Sequence, residues 1–379
     1  MKKFCSLLIV IMLLFQYNVS AASFTTDSSA KSLLLMEAST GKILYEKNSH
    51  ESLPPASVTK VMTMLLICEA LERGEITLET QITASEYAKS MGGSTIFLET
   101  NEIMTLNDLL KGIAVASAND ACVAVAEHMC GSVETFVSLM NKRASELGMK
   151  DTNFVNCNGL DVENHHSSAY DIAIMSRELL KHDIIEKYTT IWMDTLRDGK
   201  FQLANTNKLI RFYKGANGLK TGSTSGAGCC ISAAAKRDGM QLIAVVLGSS
   251  NSKERFATAS SLLNYGFANY AVTEFGEKNS KVTDVSVKNG KENNVTALSK
   301  ENANILIEKQ NADKVKTHIN IEKNLQAPVK KGQIIGELII TSDAQTLAKI
   351  PLVSDRSVMR KGASDYFVHL LKGLFKFNT

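Results

Sequence analysis

The sequence predicts an α+β fold, in which an antiparallel sheet with a helical subdomain is followed by a small all-β sandwich domain and a C-terminal amphipathic helix. Three observations lead there. A hairpin pattern, a run of helices, three strand patterns and a long helix succeed one another up to residue 272. Short β-branched runs replace them from residue 273, and from Ser364 the pattern becomes amphipathic. The 379 residues, 44% of them hydrophobic, are enough for two domains with real cores. A net charge of +3 on 42 basic and 39 acidic residues, with no dense basic block, gives no reason to expect a nucleic-acid partner.

Residues 1–22 read as an export signal. Lys2 and Lys3 precede an apolar run from Leu7 to Phe15, and the small residues Ser20, Ala21 and Ala22 suit cleavage after Ala21 or Ala22. Removing it takes Cys5 away and leaves Cys68, Cys122, Cys130, Cys157, Cys229 and Cys230, which lie inside apolar patterns and are expected to be buried free thiols. They form no C-x-x-C pair. The adjacent His165 and His166 have no matching ligand cluster, so no metal and no cofactor is expected.

The main domain is expected to span residues 24–272. K-S-L-L-L-M-E-A-S-T-G-K-I-L-Y-E-K-N-S is a hairpin around a Ser-Thr-Gly turn, and the apolar run after Ser57 is a buried helix. L-N-D-L-L-K-G-I-A-V-A-S is a helix capped near Asn107; the next starts at Asn119-Asp120 and stops at Gly131; another ends at Gly148. In S-A-Y-D-I-A-I-M-S-R-E-L-L-K-H the serine three residues before Asp171 is an N-cap. Strands follow at N-G-L-K-T-G-S-T, A-G-C-C-I-S-A-A-A and M-Q-L-I-A-V-V-L-G-S-S, and a helix from about Lys253 to Tyr270 closes the unit, with first and last segments as sheet neighbours.

Residues 273–356 form the sandwich, with turns at Asn289-Gly290 and Lys331-Gly332, and no ionisable cluster there suggests chemistry. In residues 357–379, Phe367, Leu370, Leu371, Leu374 and Phe375 gather on one helix face, with Asp365, His369, Lys372 and Lys376 opposite. That pattern suits an anchor on a membrane surface.

One cation stands out in the main domain. In L-P-P-A-S-V-T-K-V-M-T-M-L-L-I-C, residues 53–68, Ser57 and Lys60 fall one turn apart on the same helix face, at the head of an almost wholly apolar helix. Burial there disfavours the ammonium. A serine needs a base to become a nucleophile, and a neutral Lys60 is the base within reach. Ser-x-x-Lys recurs at Ser28, Ser39 and Ser250, but only the copy at Ser57 leads a buried helix and precedes S-A-N at 117–119 and K-T-G at 220–222.

Those three motifs resemble the set found in penicillin-recognising serine enzymes, which include penicillin-binding proteins and class A β-lactamases. The stretches L-P-P-A-S-V-T-K-V-M-T, S-A-N-D-A-C-V-A-V-A-E-H, N-G-L-D-V-E-N-H-H-S-S-A-Y-D-I-A and G-L-K-T-G-S-T-S-G-A-G are similar to the low-molecular-weight D-alanyl-D-alanine carboxypeptidases, and the likeness covers nearly the whole chain. It implies a β-lactamase/transpeptidase-like catalytic domain with a β-domain and an amphipathic anchor behind it. It also implies Ser57 as nucleophile, Lys60 as base, Ser117 as proton relay to the departing amine, and Asn119 holding the substrate amide and orienting Lys60. Lys220 and Thr221 would take the terminal carboxylate of a D-Ala-D-Ala end, with Arg255 near it. Gly222 would admit the substrate backbone, and Ser223 would give the second oxyanion N–H beside that of Ser57.

The resemblance implies peptidoglycan stem peptides as substrates, β-lactam antibiotics as covalent ligands, and a place at the outer face of the cytoplasmic membrane or in the cell wall. An endopeptidase acting on crosslinks shares every motif and stays open. A class A β-lactamase needs a glutamate followed by asparagine four residues on, and no glutamate from 127 to 186 has one. A silent binding module would have lost Ser57, Lys60 or Lys220, and all three are present. Small departures from the family pattern fall at Asn158 and Ser223 and bear on substrate preference.

Overall fold

The computed structural model describes residues 26–343 and 345–367. The expected export segment, and the anchor helix beyond residue 367, lie outside the described residues; residues 363–367 are helical. No helix among the described residues is long and apolar enough to cross a membrane.

The main sheet has five antiparallel strands in the order Ile43–Lys47, Ser32–Glu37, Met240–Ser249, Gly228–Arg237 and Ala216–Thr224. The first strand of the chain pairs with the last of this unit, Leu33 opposite Val246, which closes the sheet as expected. Both faces are covered, and this explains why its strands read as unbroken apolar runs rather than alternating ones. Leu33 and Leu35 point to a core shared with Leu262, Leu263 and Phe267 of the long helix Ser252–Asn269. Leu34 and Met36 point the other way, into the larger core with the helices Lys60–Glu72, Asn119–Cys130 and Ala169–Leu179.

Several helix ends fall where their residues put them. Ser168 accepts from the N–H of Asp171, and Gly131 closes the Asn119–Cys130 helix in the left-handed conformation. The cap expected near Asn107 is instead Thr105, whose hydroxyl accepts the Asp108 N–H at 3.1 Å and so starts the helix at Leu106. That helix does not run on regularly either. It widens to a π turn over Gly112–Ala116 and ends at Ser117 with φ 66°. Two small two-stranded ladders, Gln81–Thr83 with Ile103–Thr105 and Met193–Leu196 with Phe201–Ala204, carry no periodic signal because their strands are too short to show alternation. Of the six cysteines among the described residues, all free, Cys130 and Cys229 are half-buried rather than buried, because each lies near the end of its element.

The long helix stops at Asn269, and Tyr270–Glu274 continues as a strand paired with Asn304–Glu308. The run A-N-I-L-I-E-K therefore belongs to this two-stranded ladder, outside the five-stranded sheet that follows. That second sheet has the order Lys281–Ser286, Asn294–Ser299, Gln345–Ser354, Ile334–Ser342 and Val315–Ile321, all antiparallel. Val295, Ala297, Ile340 and Leu352 form its dry centre, with Phe275 and Ile305 packed against them.

Candidate active site

Ser57 lies in a single 3-10 turn, Ala56–Thr59, that runs straight into the helix Lys60–Glu72. Ten of the 13 helix residues are buried, so the Lys60 side chain has no path to water and must find partners inside. It has three. Nζ lies 3.0 Å from Ser57 Oγ, 2.6 Å from Asn119 Oδ1 and 2.6 Å from the Asn158 carbonyl. The two short contacts fix two N–H bonds on acceptors that cannot donate. In the neutral amine this leaves the lone pair for the Ser57 hydroxyl. Burial lowers the Lys60 pKa and so favours that neutral form.

Asn119 is placed by the turn that precedes it. The π turn and the left-handed Ser117 reverse the chain, and the next helix begins at Asn119 with its Oδ1 on Lys60 and its Nδ2 donating to the Gly92 carbonyl at 2.7 Å. The neighbouring Asp120 is buried and takes the N–H groups of Ile96 and Leu98, which pins the 92–98 loop against the same helix start. Ser117 is 4% exposed, and its hydroxyl makes no hydrogen bond with another described residue.

The K-T-G segment lies on the edge strand Ala216–Thr224. Lys220 is buried with one hydrogen-bond acceptor among the described residues, the Thr221 carbonyl at 2.9 Å. Burial, and then the nearby Lys60, push its pKa well below the ordinary lysine value. Thr221 Oγ1 donates to Thr206 Oγ1 at 2.8 Å. Gly222 is a glycine by contact, since a Cβ there would stand 2.7 Å from the Ser57 nitrogen and 2.8 Å from the Ala56 Cβ. Ser223 is exposed, with Cys229 Sγ 3.6 Å from its hydroxyl.

Thus Ser57, Lys60 and Asn119 are joined by hydrogen bonds, Lys220 is coupled to Lys60 through charge, and Gly222 abuts Ser57. Arg255 stands apart. It comes from the helix on the opposite face of the sheet and donates to the carbonyls of Gly222 (3.0 Å) and Cys230 (3.2 Å) and to Ser252 Oγ (3.0 Å). In this arrangement it braces the K-T-G strand from behind, with Nε left unpaired.

Sequence reasoning missed one of the two short acceptors of Lys60, the Asn158 carbonyl. A main-chain oxygen has no residue-type signal, and only the path of the loop brings it there. Asn156 Oδ1 accepts from the N–H groups of Asn158 (3.2 Å) and Gly159 (2.6 Å), and Thr63 Oγ1 holds the Cys157 carbonyl at 2.6 Å. Gly159 must be bare as well, because a Cβ would stand 1.9 Å from the Ala56 oxygen. A cavity of about 360 Å³ opens beside this turn, with Ala56, Gly159, Asp161, His165, Ser225 and Gly226 among its walls.

A serine with a buried lysine amine in hydrogen-bond reach, beside an edge strand carrying a second buried lysine, is the arrangement of a serine acyl-transfer enzyme of the penicillin-recognising class. Residues 18–251 match the D-alanyl-D-alanine carboxypeptidase family, and residues 270–360 match the C-terminal domain of penicillin-binding protein 5. The chain belongs to the D-alanyl-D-alanine carboxypeptidase family. It is 45% identical over 347 residues to the D-alanyl-D-alanine carboxypeptidase DacF of Bacillus subtilis (strain 168), covering 90% of this chain and 88% of that one. The solved structure of penicillin binding protein 5 from Haemophilus influenzae superposes with a TM-score of 0.79 at 34% identity, over 89% of this chain and 99% of that one. The ampicillin-bound penicillin-binding protein D2 of Listeria monocytogenes superposes with a TM-score of 0.60 at 29% identity, over 64% of this chain and all (100%) of its own.

Proposed function

We propose that the protein is a serine D,D-carboxypeptidase that removes the terminal D-alanine from peptidoglycan stem peptides and is acylated by β-lactams at the same serine. The observation that carries this reading is the Lys60 amine, fully buried and 3.0 Å from Ser57 Oγ, with its other bonds held by Asn119 and Asn158. Ser57 Oγ attacks the carbonyl of the penultimate D-alanine while its proton passes to Lys60. The oxyanion forms between the N–H groups of Ser57 and Ser223. Collapse breaks the C–N bond and expels D-alanine, whose amine takes the proton from Lys60 by way of Ser117. Water then attacks the ester and restores the Ser57 hydroxyl.

Lys220 and Thr221 meet the terminal carboxylate in this reading. Burial disfavours the Lys220 charge and an anion entering beside it favours that charge, so substrate binding and protonation of Lys220 reinforce each other. Asn119 leaves Gly92 to take the substrate amide. Arg255 supports the carboxylate site through the Gly222 carbonyl.

Incubating the protein with a peptide ending in Lys-D-Ala-D-Ala, beside Ser57→Ala, is the direct test. Release of free D-alanine and labelling by penicillin, both absent in the variant, are expected. Labelling without release would replace the carboxypeptidase with an endopeptidase or a binding module, and rapid penicillin turnover would make it a β-lactamase. Export through residues 1–22 and peripheral membrane attachment through residues 357–379 complete the proposal. Deleting residues 363–379 should free the exported protein from the membrane fraction, and unchanged membrane association would overturn the anchor.

A further inference from the structure

The loop that carries Asn158 makes a second polar contact with the nucleophile turn, and this one has no part in the proton path above. His165 is 5% exposed, with Nδ1 3.0 Å from the Val155 backbone nitrogen and Nε2 2.8 Å from Thr59 Oγ1. The Val155 N–H can only donate, so Nδ1 accepts and the ring proton resides on Nε2. The Thr59 hydroxyl gives its own hydrogen to the Ala56 carbonyl, 2.8 Å away, and so receives the one from Nε2. Every bond in the series runs the same way, from Val155 through His165 and Thr59 to the Ala56 oxygen, an arrangement in which each bond polarises the next.

The end of that series matters because of covalent geometry. The Ala56 C=O and the Ser57 N–H belong to one planar peptide unit, so fixing the direction of the oxygen fixes the direction of the hydrogen. This unit needs fixing. Ala56 has φ 48°, a left-handed conformation that a residue with a Cβ disfavours, and the first N–H groups of a helical turn have no carbonyl within the turn to hold them. Gly159 packs close to the same oxygen, since a Cβ there would stand 1.9 Å from it.

We propose that His165, acting through Thr59, sets the plane of the Ala56–Ser57 peptide and thereby aims the Ser57 N–H at the oxyanion. His165 is a positioning residue, and the inference rests on the reading of Ser57 as nucleophile. It predicts that loss of the bond between His165 and Thr59 slows acylation without weakening ground-state binding, because the oxyanion exists only after attack.

Three variants isolate that bond. Thr59→Val removes the hydroxyl and keeps the shape. His165→Asn keeps an acceptor for Val155 where Nδ1 stood but cannot reach Thr59, whereas His165→Gln places a donor where Nε2 stood and gives up the acceptor. The measurement is the rate of acylation by labelled penicillin, with its saturation constant, alongside thermal unfolding of each variant. Thr59→Val and His165→Asn should each lower the acylation rate constant by roughly tenfold or more with little change in saturation, as expected for a misaimed oxyanion donor. The double variant should be no slower than Thr59→Val alone, and His165→Gln should stay within about threefold of the parent.

Parent-like acylation by His165→Asn would overturn the proposal, as would multiplicative losses in the double variant. So would losses that follow thermal stability across all three variants, which would make His165 a packing residue only. Failure of the underlying reading looks different: labelling would persist in Ser57→Ala.

Discussion

The two sheets of this molecule treat buried polarity in opposite ways. Around the first, Lys60, Ser117, Asn119, Lys220 and Arg255 are all at or below 5% exposure, and two of them are amines that burial drives toward neutrality. Around the second, the described residues bury only Ser299 and Ser354 among polar side chains, and each hydroxyl is satisfied by a nearby carbonyl, Glu301 at 2.6 Å and Arg356 at 2.7 Å. The first unit therefore carries desolvated groups, of which, among the described residues, Lys220 has a single partner and Arg255 Nε none, while the second is an apolar core with its buried polar atoms paired. A fold can hold reactive chemistry only where it leaves some polar groups underpartnered.

That contrast is open to test, and the largest effect should come from Lys220→Met. Acylation by penicillin is expected to fall by about 10³-fold, because the proposed partner of the ligand carboxylate is lost. The melting temperature should nevertheless hold or rise, since the variant exchanges a buried amine with one 2.9 Å partner for an apolar chain of similar length. A clear drop in melting temperature would contradict the view that this amine is underpartnered.

Gly159→Ala should come next. Its Cβ would sit 1.9 Å from the Ala56 oxygen at a φ of 88°, so the nucleophile turn must shift. Acylation should fall by roughly a hundredfold. The loss of stability should be at least about 3 kcal/mol, readable by denaturant unfolding. Wild-type behaviour in both would show that the loop and the turn move apart freely.

A pH titration of stability gives a smaller effect. Burial first, and then His166, lower the His165 pKa to about 4, against the weaker opposing pull of Asp161. The unfolded imidazole takes up its proton near 6.5, before the folded one does. Stability from the neutral ring is therefore complete above about pH 6.5 and is lost as pH falls toward 4, by up to about 3 kcal/mol. His165→Gln should lack this decline, and identical pH profiles for parent and variant would refute it.

The smallest effect on chemistry should come from Leu352→Ala. Leu352 is wholly buried in the second sheet, and the cavity should cost about 2–5 kcal/mol in the stability of that unit. Acylation should change by less than about twofold, as for sites without shared partners. A larger loss would show that the second unit acts on the cleft rather than standing beside it.

Much of the first unit was legible because its signals are local. Ser168 caps its helix and Gly131 ends another because a hydroxyl and a bare Cα solve a nearby backbone problem wherever the fold goes. Ser57 and Lys60 share a face because helix geometry puts residues three apart together, and the apolar run after them required burial. The π turn before Ser117 was not legible, since L-N-D-L-L-K-G-I-A-V-A-S is equally good as a regular helix. Arg255 had a motif position but no visible direction, and the structure spends it on the back of the strand.

By itself, then, the sequence determined the three motifs from which the chemistry is proposed, the kinds of element that hold them, and their order along the chain, because identity, periodicity and capping act over a few residues. Tertiary structure decided the partners. The Asn158 carbonyl on Lys60, the Gly92 carbonyl on Asn119 and the His165 bond to Thr59 join segments between 27 and 106 residues apart. Main-chain acceptors look alike at every position, so which of them reaches a given side chain is settled only when loops close and the core expels its water.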